Sequence, residues 1–317
     1  MTDILILSAG RRVSLARLFR QAAAPHSLTV ATADMRPAMS SACQDSGDWV
    51  ELPHVHDADY AQRLENYCRD AGVRLVVPTI DTELPLLASL KARFAAFGCT
   101  LAVSDTALVD HCADKRMTGM LFEPLGLTMP RRMEINALSY PLIIKPYDGS
   151  LSAGISILHK PAELNQAHLD NPRNMFCQYL EHSEHEEFTC DAYFDRNNQI
   201  RAVVPRLRIE VRGGEVSKGQ TVRNDIVPFL TERLAYLPGA VGCLTIQIMR
   251  HRETGEKYLI EVNARFGGGY PLTARSGANY HQWLIEEYIL KRPIGDFTAW
   301  QDRLVMLRYD AEIFVDG

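Results

Sequence analysis

Lys257-Tyr-Leu-Ile-Glu-Val-Asn-Ala-Arg-Phe-Gly-Gly-Gly-Tyr270 is the stretch on which the fold turns. Tyr258 to Val262 is an apolar run of strand length, and Glu261, Asn263 and Arg265 stand at its end at steps of two. Side chains alternate along a strand, so these three share one face. Upstream, Gly242-Cys-Leu-Thr-Ile-Gln-Ile-Met249 is a second apolar run, interrupted by Gln247, an amide that a buried strand would not choose for packing. Pairing the two runs as a hairpin through Arg252-Glu-Thr-Gly-Glu256 brings Gln247 beside Glu261. Oxygen donors of this kind, too few for a closed cage, suit Mg²⁺, which keeps waters and shares its remaining positions with substrate phosphates. The alternative is a strand whose polar face simply meets solvent.

Working outward, Lys145-Pro-Tyr-Asp-Gly-Ser-Leu-Ser-Ala-Gly-Ile155 reads as a phosphate device. A lysine ending the apolar run Leu142-Ile-Ile is costly to desolvate unless it meets an anion. In the loop that follows, Gly149 and Gly154 let consecutive N–H groups turn towards phosphate oxygens, and Ser150 and Ser152 add hydroxyl donors. Taken alone, the loop also reads as a hairpin turn between two strands.

Together the two features resemble the ATP-grasp superfamily, and most closely its carbamoyl-phosphate-synthase-like branch of carboxylate-amine ligases. The resemblance rests on a lysine ending a strand, a Gly-Ser-x-Ser-x-Gly-Ile loop, and the set Gln247…Glu261-x-Asn263-x-Arg265. It covers residues 114–279 and, more loosely, the N-terminal third. It implies ATP and Mg²⁺ as cofactors, with two ions and Mn²⁺ as a substitute. By the same resemblance, Gln247, Glu261 and Asn263 are the metal ligands, and Lys145 and Arg265 act on the transferring phosphoryl group. Lys115 would lie near the α-phosphate, and Gly149, Ser150, Ser152 and Gly154 over the phosphates. Gln178 to Glu181 would be the hinge between lobes, with the backbone of Tyr179 and Leu180 reading the adenine edge, and Glu187 would accept from ribose hydroxyls. Leu151 departs from the pattern, since relatives often carry another glycine there.

The composition excludes several classes. Thirty-four Lys and Arg against thirty-nine Asp and Glu leave a net charge of -5, with no general surface for polyanions, so nucleic acid is not an expected partner. Met1-Thr-Asp-Ile-Leu-Ile-Leu-Ser carries an acid before its short apolar run, which reads as a strand and not as a signal peptide. No apolar run approaches the roughly 20 residues of a membrane helix, and no membrane partner is expected. Seven scattered cysteines without a Cys-x-x-Cys pair fit reduced thiols in a cytoplasm.

From Ile4 to Val103 short apolar runs (Ile4–Leu7, Leu28–Thr32, Trp49–Leu52, Leu75–Val77, Thr100–Val103) alternate with amphipathic segments near Val13–Ala23, Tyr60–Ala71 and Glu83–Phe97. That pattern predicts parallel β-α-β units. The first turn, Ser8-Ala-Gly-Arg-Arg-Val-Ser14, lacks the later glycines of a dinucleotide fingerprint, so Gly10 is read as a tight turn and Asp34 as a strand end. Ser104 or Asp105 caps one helix and Asp114 opens a second. The segment His182 to Glu186 lacks metal-site spacing and is expected to be a solvated turn. Arg206, Arg208, Lys218 and Arg223 are unranked candidates for gripping the triphosphate or an acidic substrate.

The expected architecture is α/β and α+β: a Rossmann-like domain over residues 1–110, a two-lobed ATP-grasp module over 111–300 with its hinge near 178–181, and a closing segment over 301–317. The implied activity is formation of an acyl phosphate from a small carboxylate, with release of ADP and capture by an amine. A kinase of bicarbonate or carbamate, a nucleotide-binding accessory protein and, last, a nicotinamide-dependent oxidoreductase are the alternatives. A homodimer is the assembly considered.

Overall fold

Ile4, Leu5 and Ile6 are fully buried, as a strand must be when helices cover both faces of its sheet. The computed structural model describes residues 1–148 and 154–315, and the first of its three sheets is built around that strand. β1 (Ile4–Ile6), β2 (Val30–Asp34), β3 (Trp49–Glu51), β4 (Leu75–Val77) and β5 (Thr100–Leu101) form a parallel sheet in the order β3-β2-β1-β4-β5. Helices α1 (Val13–Ala23), α2 (Ser41–Ser46), α3 (Tyr60–Ala71) and α4 (Leu84–Ala95) connect them. The Rossmann-like reading therefore holds. β2 starts later than its apolar run, because Ser27 adopts a left-handed φ of +54° and the Leu28 N–H still bonds back to the Ala23 carbonyl at 3.3 Å. Strand order reverses between β1 and β4, which opens a crevice at their carboxyl ends. The turn Ser8–Arg12 lies on one side of it and Thr79–Glu83 on the other.

Helices α5 (Thr106–Ala113) and α6 (Lys115–Phe122) follow. Asp114 caps α6 by accepting the Arg116 N–H at 2.8 Å. Asp105 precedes α5 but makes no capping bond, since its carboxylate turns to Lys91. The second sheet is antiparallel: β6 (Arg132–Met133), β7 (Leu142–Pro146), β8 (Ser156–Leu158) and β9 (Asn174–Gln178), ordered β6-β9-β7-β8, with α7 (Gln166–Asp170). It packs on a core of its own around Met133, Leu142, Ile144, Leu158 and Phe176.

The third sheet is antiparallel and larger. It comprises β10 (His185–Phe194), β11 (Ile200–Arg212), β12 (Glu215–Thr221), β13 (Gly242–His251), β14 (Lys257–Asn263) and β15 (Val305–Leu307), ordered β14-β13-β10-β11-β12-β15. Helices α8 (Ile226–Arg233), α9 (Tyr270–Arg275) and α10 (Tyr280–Tyr288) pack on it. Its two faces merge with the two faces of the parallel sheet. Phe188, Cys190 and Ile246 join Leu5 and Val76 in one core, while Tyr193, Val204 and Cys243 join Ile4, Ile6 and Phe19 in the other. In packing terms the parallel and large sheets are one body, and the small sheet is a second.

Arg206 is among the largest fully buried side chains, 1% exposed. Its guanidinium donates to both oxygens of Asp191, at 3.0 and 2.9 Å. Asp191 also accepts from Thr273 at 2.6 Å, and its carbonyl accepts the Tyr280 hydroxyl at 3.0 Å. A Cβ on Gly269 would overlap the Arg206 guanidinium, so that turn must be glycine. Two more of the four unranked basic residues are also occupied: Lys218 pairs with Glu210 at 2.7 Å, and Arg223 lies 4.1 Å over the Trp300 ring. Removing one partner of a buried pair strands the other charge and costs about 3–5 kcal/mol. Asp191→Ala should therefore lower the urea midpoint by that much stability, and an unchanged midpoint would show that Arg206 finds another partner.

Candidate active site

The β13–β14 hairpin has the register expected from its sequence, with Gln247 opposite Glu261 and Thr245 opposite Asn263. Both amides converge on one carboxylate oxygen. Gln247 Nε2 donates to Glu261 Oε1 at 2.6 Å and Asn263 Nδ2 donates to the same atom at 3.1 Å. The second oxygen, Oε2, faces Lys115 Nζ at 3.7 Å. Among the described residues no group of three or more His, Cys, Asp or Glu could hold a metal. One carboxylate and two carboxamides thus make a partial oxygen set, which fits a hard divalent cation that completes its coordination with phosphate and water.

Two lysines add positive charge near this carboxylate. Lys115 is the first residue of α6, and its N–H donates to the Tyr147 carbonyl at 2.8 Å, just past the end of β7. Lys145, in β7, is 7% exposed. Burial, with the nearby Lys115, holds its pKa below the ordinary lysine range, against the opposing pull of Cys177 and Glu261. Gly154 has a φ of +73°, and a Cβ there would come 3.1 Å from Pro146 Cγ, so the chain returns from the loop close over β7. Gly149, Ser150 and Ser152 lie outside the described residues.

The expected hinge is the connection from β9 to β10. Gln178 ends β9, with its N–H on the Arg131 carbonyl at 2.8 Å. Tyr179 is half-buried against His159, and Leu180 is buried. The Glu181 carbonyl accepts the His185 N–H at 2.9 Å, which closes the turn into β10. His185 corrects the expectation of a solvated segment: it begins β10, is buried, and stacks edge-on against His251 and Tyr258. Only its cross-strand neighbours decide this, and they are 66 and 73 residues away in the chain, too far for a local pattern to show. Glu187 lies on β10 with its carboxylate 3.0 Å from Arg208 Nε. Arg208 is thus the one of the four basic candidates that stands beside another expected site residue.

Arg265 lies just past β14. Its guanidinium pairs with Asp81 from the parallel-sheet crevice and donates to the Phe266 carbonyl at 3.1 Å. Its Nε is buried and has no hydrogen-bond partner. Around it the structure gathers residues that the sequence did not single out. Arg308 donates to Glu215 at 2.6 Å, and Arg12 reaches the Thr79 carbonyl at 3.3 Å. Glu83, fully buried, accepts from Ser8 Oγ at 2.7 Å and from the Thr79 N–H at 2.6 Å. Burial pushes the Glu83 pKa up to about 7. These positions are spread from residue 8 to residue 308, and no spacing rule links them.

Residues 4–102 match the family model described as PylC-like, N-terminal domain, and residues 171–310 match the one described as ATP-grasp in the biosynthetic pathway with Ter operon. No curated protein is significantly similar to the chain. Among solved structures, the biotin carboxylase domain of Hydrogenobacter thermophilus 2-oxoglutarate carboxylase, a dimer in complex with MgADP, ADP and bicarbonate, is 13% identical with a TM-score of 0.73, covering 96% of this chain and 73% of that one. L-amino acid ligase from Bacillus licheniformis is 18% identical with a TM-score of 0.69, covering 91% and 74%. N5-carboxyaminoimidazole synthetase from Staphylococcus aureus, complexed with ADP, is 14% identical with a TM-score of 0.69, covering 93% and 79%. At these identities the likeness establishes the fold.

A buried lysine whose pKa is depressed carries a stability cost wherever it is charged. That cost is full below its folded pKa and vanishes above the ordinary value of 10.5. Ligand-free Lys145→Met should therefore melt above the wild type at pH 7, with the gap closing as the pH approaches 10.5. A lower melting temperature at pH 7 would show that Glu261 compensates the lysine fully.

Proposed function

The chain belongs to the ATP-grasp superfamily, and from that premise we propose that it is an ADP-forming ligase that activates a small carboxylate as an acyl phosphate for capture by an amine. The observation that carries this reading is the convergence of Gln247, Asn263 and Lys115 on Glu261, with Lys145 beside them. The solved relatives of the same fold include a ligase of amino acids and an enzyme complexed with ADP, which supports ATP as the phosphoryl donor.

In this reading ATP lies between the small and large sheets. The backbone of Tyr179 and Leu180 faces adenine in the hinge Gln178–Glu181, and Glu187 accepts from the ribose. Lys115 and Lys145 draw the phosphates inward, where the Lys145 ammonium gains the anion that its burial requires. Gln247, Glu261 and Asn263 would hold Mg²⁺, as two ions or with Mn²⁺ in its place. When bound, the metal disperses the charge that builds on the β- and γ-phosphate oxygens. Arg265 offers a planar fork at the point where the substrate carboxylate meets the γ-phosphorus, a geometry that a lysine could not reproduce. Transfer of this kind needs placement and charge compensation more than a protein nucleophile. The amine then attacks the acyl carbon, forming the C–N bond as the C–O bond to phosphate breaks, and inorganic phosphate and a proton are released. The seven thiols, six of them buried, suit a reducing cytoplasm. Homodimer formation, for which the biotin carboxylase domain dimer is a precedent, belongs to the same proposal. Among the described residues no helix is long and apolar enough to cross a membrane.

Incubation with MgATP and a panel of amino acids, small carboxylates and bicarbonate should release ADP and phosphate, and hydroxylamine should trap the activated acid as a hydroxamate. Formation of AMP and pyrophosphate would overturn the reading. Glu261→Gln keeps the size of the side chain and removes its charge, so turnover should fall by at least about 10³-fold while thermal melts stay close to wild type. A folded Glu261→Gln protein with near wild-type turnover would mean that the hairpin is ordinary sheet.

A further inference from the structure

The crevice between β1 and β4 faces the large sheet, and two guanidiniums point into it with donors unused. Arg12 is half-buried; among the described residues its only side-chain hydrogen bond is the one to the Thr79 carbonyl, and no carboxylate lies within ion-pair distance of it. Arg265 has its unpartnered Nε. The two cations act on one another: the Arg12 pKa is pushed down to about 10, by burial first and by Arg265 next. Like charges brought together in a partly desolvated crevice repel unless an anion lies between them. Glu215 and Asp81 draw the Arg12 pKa part of the way back, but both are shared with other arginines. Asp81 is taken by Arg265, and Glu215 by Arg308 with Arg11 at 3.6 Å.

The wall of this crevice is shared with a cavity. Along Thr79-Ile80-Asp81, the first residue holds Arg12, the third holds Arg265, and Ile80 lines a cavity of about 250 Å³ that also borders Ser8. The rest of its lining is mainly apolar, including Ala33, Met35, Leu52, Val55 and Tyr60. Its one carboxylate, Asp34, is already committed, accepting the Gly10 N–H at 2.8 Å and the Arg36 N–H at 3.1 Å. Just below the usual range of ligand-pocket sizes, about 300–1,000 Å³, the cavity of about 250 Å³ has room for no more than a short aliphatic chain.

We propose that the acid activated by this protein is a monocarboxylic acid with a short apolar body, its carboxylate bridging Arg12 and Arg265 and its body seated in the cavity beneath Ile80. This rests on the ligase reading for the acid's fate, but the binding site itself does not. Arg12 then fixes the acid, while Arg265 serves both the acid and the phosphoryl group.

The test is steady-state ADP release by the full chain with acetate, butanoate, hexanoate and 4-methylpentanoate, beside calorimetric titration of the same acids without ATP. KM should fall at least about tenfold from acetate to the six-carbon acids. Arg12→Gln should raise the KM for 4-methylpentanoate by about tenfold or more, with a smaller change in the KM for ATP, and Arg12→Lys should recover part of the loss. Val55→Trp, which fills the cavity, should cut kcat/KM for the six-carbon acids more than for acetate. Equal KM values across the series, or an Arg12→Gln protein with the wild-type KM for the acids, would overturn the proposal and leave the ligase reading standing. If no acid in the wider panel releases ADP, the ligase reading fails, and calorimetry still decides the site: 4-methylpentanoate binding that Arg12→Gln abolishes supports it, and no binding to the wild type refutes it.

Discussion

The ion pair between Asp191 and Arg206 sets what the working face of the large sheet can be. It lies across two adjacent strands, β10 and β11, a bond from Thr273 ties it to helix α9, and the Thr245 hydroxyl of β13 lies 3.4 Å from Asp191 Oδ1. Thr245 in turn donates to the Arg265 carbonyl at 2.8 Å, so the arginine nearest the proposed chemistry hangs from the same network. The glycine turn after Phe266 has to pass over the Arg206 guanidinium, which leaves no room for a side chain at Gly269. A buried pair of this kind contributes little net stability against an apolar replacement, and its best-attested use is to select one arrangement among several. Here the arrangement selected is the position of the strand end that carries Glu261, Asn263 and Arg265.

The charges at the site are divided between two separately packed bodies. Lys145 belongs to the small sheet, with its own core, whereas Glu261 and its amide partners belong to the large sheet. Lys115, on α6, sits at the junction and is tied by its backbone to Tyr147 at the end of β7. A polyanion between the sheets would answer the lysines of one body and, through a cation, the carboxylate of the other. Its binding would then join bodies that share no continuous apolar core, and the free energy of that joining is electrostatic before it is hydrophobic.

How much of this was legible in the sequence depended on range. The β13–β14 hairpin was legible because a short turn separates the runs and Gln247 breaks the apolar pattern where its partner also breaks it. Helices α1 and α3 were legible to the residue, since both are amphipathic and α3 ends at Gly72 in a left-handed conformation. The start of β2 was not, because a left-handed Ser27 delays the strand and serine carries no signal for it. His185 was misjudged because its burial depends on rings from β13 and β14. Arg12, Asp81 and Arg308 were invisible for a stronger reason: three-dimensional closure of the crevice brings together segments with no common period or spacing, and each arginine alone reads as surface charge.

Both apolar cores run from the parallel sheet into the large one, and this has a consequence for the chain as it is made. Ile4, Ile6 and Phe19 are translated before the residues that cover them, Tyr193, Tyr280 and Leu284, which follow about 170 to 280 residues later. At ordinary synthesis rates that interval is on the order of tens of seconds. During it the first sheet carries apolar surface on the flank that the large sheet will occupy, and Arg12 waits for a wall completed only when Arg308 emerges. Until then the apolar flank of the first sheet has no partner within the chain already made, and slower translation lengthens that interval.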